Sequence, residues 1–173
     1  MPVAAYLDTL LLLLVAAAAI NDLASRRIPN LLLLSGLIAA LALHALSPDP
    51  GQALLACLGG AATGLLIFMP FYLVRGMAAG DVKMMATVGA FTGPAAALHI
   101  AILSWCAGGV MALAIIVFRG RVRMALGNLW GIVRPAVLRL PAAPLAMRES
   151  AGSMPYGVAI AAGTIYVLMA RYA

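Results

Sequence analysis

Charge is scarce in this sequence. Of its 173 residues only 9% are Asp, Glu, Lys or Arg, against roughly 25% in a soluble domain. That shortage excludes a water-soluble globular protein, and a hydrophobic content of 65% places the chain in a bilayer. Cysteine is rarer still: Cys57 and Cys106 sit singly inside apolar stretches, with no CxxC pair. A structural zinc site needs about four clustered ligands, so no metal is expected, and both cysteines read as small buried residues. The two histidines, His44 and His99, fall toward the outer side of the topology derived below. They read as packed or interfacial, and no Ser-His-Asp grouping can be assembled around them. Nothing asks for a cofactor.

The net charge is +6, but the basic residues form no single patch. They recur between apolar stretches, as expected of loops that face the cytoplasm and anionic lipid. Membrane lipids, not nucleic acid, are the partners this pattern implies.

Long hydrophobic runs are what the sequence has most of. Six spans can be drawn, roughly Val3–Asp22, Asn30–Leu46, Gln52–Val74, Gly80–Phe91, Ala95–Phe118 and Met154–Ala170. The expected fold is therefore all-α, a polytopic membrane protein built as a six-helix transmembrane bundle. The fourth span is too short to cross about 30 Å of hydrocarbon as a straight helix unless its loops dip inward. Arg26 and Arg27 lie in the first loop, and Arg75 and Lys83 lie around the third. Arg119, Arg121, Arg123, Arg134, Arg139 and Arg148 lie in the fifth, which leaves only Arg171 on the opposite side. By the positive-inside rule loops one, three and five are cytoplasmic and both termini face outward. The apolar N-terminal run lacks a basic region ahead of it and reads as an uncleaved first helix, not a signal peptide.

Residues 1–173 are expected to form one transmembrane domain. Gly60 and Gly64, at GxxxG spacing, and Ala159 and Gly163 mark faces where helix backbones approach closely. Within the 119–152 cytoplasmic loop, Arg121–Leu140 mixes arginines with Leu126, Leu129, Trp130, Ile132, Val133 and Leu138. It reads as an amphipathic interfacial helix that either anchors to lipid or touches a substrate.

The five acids are the candidates for chemistry. Asp49 lies in the turn SPDPG, Glu149 in the cytoplasmic loop and Asp8 near the outer end of the first helix, and none needs a chemical role. Asp22 and Asp81 differ. The topology puts both at the cytoplasmic edge although 59 positions separate them. A carboxylate held in a transmembrane helix costs about 2.5–3.5 kcal/mol on insertion scales and usually faces a bundle interior or a water-filled cavity. Each has a plainer explanation: Asp22 could pair with Arg26 at i,i+4, and Asp81 could cap the fourth helix. Together on one face they suggest a site. Two converging carboxyls share a proton, so one can activate water while the other polarises a peptide carbonyl, as in aspartic proteases.

The stretch AAGDVKMMATVGAFTG, from Ala78, resembles the Gly-x-Gly-Asp-x-Lys motif of the type IV prepilin peptidases. NDLASRRIPN, from Asn21, resembles their first aspartate motif, and MPYGVAIAAG their last helix. The resemblance implies an aspartic endopeptidase of a bacterial-type inner membrane, cutting the leader from prepilins at the cytoplasmic face. It carries over Asp22 and Asp81 as the catalytic pair, Gly80 as a loop-shaping residue and Lys83 as a motif member. The short chain is similar to the single-domain members that serve Tad/Flp-type pili, so an Flp-type or type IV pilin-like prepilin is the expected partner. Nothing corresponds to the CxxC domain that larger members link to methylation, and no methyltransferase activity is expected. The rivals are a non-catalytic scaffold of a pilus or secretion machine and a small transporter component. Ala78 departs from the motif's first glycine; if that position requires positive φ, alanine is strained there by about 1–2 kcal/mol.

Overall fold

The structure is a computed structural model that describes residues 3–74, 76–120, 122–124, 127, 130 and 154–173. Each expected span is a helix: α1 (Val3–Ser25), α2 (Asn30–Ala45), α3 (Pro50–Leu73), α4 (Ala79–Thr92), α5 (Pro94–Phe118) and α6 (Tyr156–Met169). No strand occurs among the described residues. Most of the 119–152 loop lies outside the described residues, including most of the expected interfacial helix, and so do Arg75 and Glu149. Three helices, α1, α3 and α5, are long and apolar enough to cross a membrane, while α2 and α6 are shorter apolar helices.

The chain divides into two compact units, 1–108 with 155–173, and 109–154. The first contains both aspartate motifs. At its centre is α4, which packs against α1, α2, α3 and α6. Nine of its 14 residues are buried: Asp81, Val82, Met84, Met85, Thr87, Val88, Gly89, Ala90 and Phe91. The shortest span is thus sheathed by other helices. Its length of about 21 Å, at ~1.5 Å per residue, need not match the bilayer. In the second unit, the described residues include the last part of α5, where Val110, Leu113, Val117 and Phe118 are exposed.

Glycine sets the closest packing. A Cβ added to Gly60 would collide with the carbonyl of Gly89, and one added to Gly64 with the carbonyl of Met85. The GxxxG face of α3 therefore lies directly on the backbone of α4. Gly163 does the same for α6 against α5, where a Cβ would stand 3.0 Å from the Ile100 carbonyl oxygen. Both small-residue faces work as expected from their spacing.

Three other polar residues have structural partners. Asp49 caps α3 by accepting from the Gln52 amide. His44 is packed, its Nε2 lying 3.1 Å from the Ala90 carbonyl oxygen. Asp8 accepts from Arg171 at 3.2 Å and from the Tyr172 hydroxyl at 2.7 Å. Cys57 is buried as expected, but Cys106 is exposed. A helix surface facing lipid is as apolar as the bundle interior, so an apolar run does not say which way a cysteine points.

Candidate active site

The core face of α1 is a stripe of residues three or four apart: Leu7, Leu11, Leu14, Ala18 and then Asp22. The aspartate thus continues an apolar row into the bundle interior. Just beyond it the helix stops. Ser25 Oγ donates to the Asn21 carbonyl at 2.9 Å, and Arg26 turns the backbone into the left-handed region at φ 55°. Among the described residues only Arg26 does this without being glycine. The chain then runs through Ile28 and Pro29 into α2.

Asp81 is placed by the start of α4. Ala78 is the N-cap residue, with φ −79° and ψ 150°, and Asp81 is the third residue of the helix. Its carboxyl accepts from the Ala78 backbone N–H, as the third residue does in a capping box. The capping reading was therefore close, but Asp81 reaches back to the cap and is not the cap itself. The condition for strain at Ala78, a positive φ, is not met: its φ of −79° is that of ordinary extended backbone. The reason is geometric: this position precedes a helix and needs no left-handed turn.

Two contacts and one electrostatic interaction join the two motifs. Gly80 lies against Ile28, and a Cβ there would be in ordinary contact at 3.5 Å. Lys83 Nζ donates to Asn30 Oδ1 at 3.1 Å, tying α4 to the first residue of α2. The third is between the carboxyls themselves. Asp22 and Asp81 are each only 6% exposed and lie close enough to interact electrostatically. Residues 59 positions apart in sequence are thus brought together, while Ala78 and Lys83, both exposed, and the half-buried Gly80 lie on the same helix start as Asp81.

A residue from the far end of the chain completes the group. The Gly157 N–H, in the first turn of α6, donates to Asp22 Oδ2 at 2.8 Å. Its neighbour Tyr156 lies within electrostatic reach of Asp81, donates to the Ser104 carbonyl at 3.2 Å and packs edge-on to Phe68. The sequence reading recognised MPYGVAIAAG as a last helix but gave Gly157 no role. The available signal was a glycine at the start of a helix, where the chain needs no flexibility.

Chemically, the group is two carboxyls enclosed by helices, each with one backbone amide donor. Among the described residues no three His, Cys, Asp or Glu side chains gather as a metal site would. The model for the type IV leader peptidase family matches residues 9–113. That stretch holds both aspartates, Ala78, Gly80 and Lys83 and stops before α6. Neither a curated protein nor a solved structure matches the chain.

Proposed function

The chain belongs to the type IV leader peptidase family, and from that premise we propose that it is a prepilin peptidase whose catalytic pair is Asp22 and Asp81. The observation that carries this reading is the convergence of two buried carboxyls from distant motifs. One carboxylate takes a proton from water, whose oxygen attacks the scissile carbonyl carbon. The other, protonated, hydrogen-bonds the carbonyl oxygen and stabilises the charge that develops there. Collapse of the tetrahedral intermediate passes a proton to the leaving nitrogen. No side-chain nucleophile is required.

In this reading residues 1–173 form a single peptidase domain of six spans with both termini outward. Ten of the 11 basic residues then face the cytoplasm of a bacterial-type inner membrane. The site at the cytoplasmic edge suits a substrate with a basic leader in water and an apolar segment in lipid. A prepilin, of Flp type or type IV pilin-like, has that form, and a Tad/Flp pilus or related secretion system would supply it.

The test is cleavage of a purified prepilin by the purified protein, with the product's new N-terminus sequenced. A single cut at the boundary between leader and apolar segment is expected. A substrate whose scissile bond is moved several residues into the apolar segment should remain intact. Efficient cutting of that shifted bond would contradict a site at the membrane edge.

A further inference from the structure

Helix α6 opens with Pro155 at its N-cap, which provides no side-chain hydrogen bond to the first-turn amides. Such amides need a partner when they are buried. The Gly157 amide finds one 135 positions away, in the Asp22 carboxyl. The approach is tight enough that a side chain would push Asp22 by a few tenths of an ångström. A Cβ at Gly157 would stand 3.0 Å from Oδ2, 3.2 Å from Cβ and 3.3 Å from Cγ of Asp22. The three nearest atoms all belong to this one residue, so the glycine is fitted to Asp22 and not to a general helix crossing.

Backbone conformation gives no other reason for glycine here. Gly157 is helical, and positive φ among the described glycines is confined to Gly93 and Gly120. In a helix, glycine is worse than alanine by about 1 kcal/mol. Propensity therefore opposes this residue, and the approach to Asp22 explains it. Gly163, on the same helix, is of the other kind: its missing side chain makes room for Ser104 and the Ile100 backbone of α5.

We propose that Gly157 is a positioning residue for the reaction. Its N–H holds Asp22 in one orientation, and its lack of a side chain lets the carboxyl stay turned toward Asp81. The proposal rests on the reading of Asp22 and Asp81 as the catalytic pair, and it gives α6, which lies beyond the matched residues 9–113, a part in the site.

The experiment compares the full-length protein with Gly157→Ala and Asp22→Asn, each purified in the same lipid–detergent mixture. Prepilin cleavage is followed over a range of substrate concentrations, and folding by thermal melt. Gly157→Ala should lower kcat on the order of tenfold or more, as small misplacements of reacting groups do. KM should stay within about twofold, and the melting temperature should hold, since alanine's better helix propensity offsets the weakened cap. The infrared carboxyl band that Asp22→Asn removes should shift in Gly157→Ala, a readout independent of activity. Wild-type kcat in Gly157→Ala, or an unmoved band, would overturn the proposal. A fall in kcat matched by loss of folded protein would also overturn it, by showing a packing role alone. Full activity in Asp22→Asn would instead remove the catalytic pair on which the proposal rests, and it is recognised without reference to Gly157.

Discussion

Asp22 stands at the C-terminal end of its own helix and at the N-terminal end of another. The first position is unfavourable for a negative charge and the second favourable. Its hydrogen bond to Gly157 makes it the cap that Pro155 does not provide. Capping and the proposed catalysis are separable by substitution, because asparagine caps as well as aspartate but cannot carry the proton. Asp22→Asn is expected to melt close to the wild-type temperature while losing activity. Asp22→Ala should lose activity and also about 1 kcal/mol of stability, seen as a lower melting temperature in detergent. Equal melting temperatures for the two variants would show that the contact contributes nothing to the fold. At this scale the sequence was partly legible. Asp22 and Asp81 stood out because buried charge is rare in a membrane helix and must be explained. Gly157 did not, because its reason is a contact between distant segments. The concern over Ala78 misled for a related cause: a motif names a residue type without giving its φ, and here φ is −79°.

At the scale of elements, two helix pairs hold the site in place. The first is α3 on α4. Gly60 and Gly64 face the carbonyls of Gly89 and Met85 with no space between, so the helix that carries Asp81 is seated by backbone contact. Gly64→Val is expected to force these helices apart and to destabilise the protein by about 3 kcal/mol. Thermal melts check this, and residual activity should follow the folded fraction. An unchanged melting temperature would mean that α4 is held by its other neighbours. The GxxxG spacing predicted a close approach, but not which helix would meet it. The second pair is α1 and α6, which run antiparallel. Asp22 meets Gly157 at one end, and Asp8 meets Arg171 and Tyr172 at the other. Each chain segment spans 14 positions between Asp22 and Asp8 or between Gly157 and Arg171, which lies just past the end of α6, about 21 Å at helical rise, so the registers agree. The hydrogen bond to Asp8 holds the Tyr172 phenol above its ordinary range. Its contribution is therefore complete at neutral pH and is lost only as pH rises through that elevated value. Asp8 was expected to have no chemical role, and this end of the pair is structural.

At the scale of the whole molecule, the surface and the site are opposites. Leu13, Ile20, Leu34, Ile38, Leu55 and Leu66 are each more than half exposed, a surface that would associate in water and is at home in lipid. The two acids proposed to do chemistry are among the enclosed residues. The order of the apolar helices among the described residues could be read from hydropathy, because the bilayer allows few other arrangements of an apolar chain. The central place of α4 could not, since its shortness suggested only loops that dip inward. If Asp22 and Asp81 act as one unit, a cycle of Asn variants in reconstituted vesicles will show it. Prepilin cleavage would be timed for Asp22→Asn, Asp81→Asn and the double variant at matched amounts of folded protein. Residues that act as a unit give losses that do not add. Each single variant should therefore fall by about 10²–10⁴ or more, and the double variant should be no slower than either. Near-normal cleavage by one single variant, or losses that multiply in the double, would contradict the pairing.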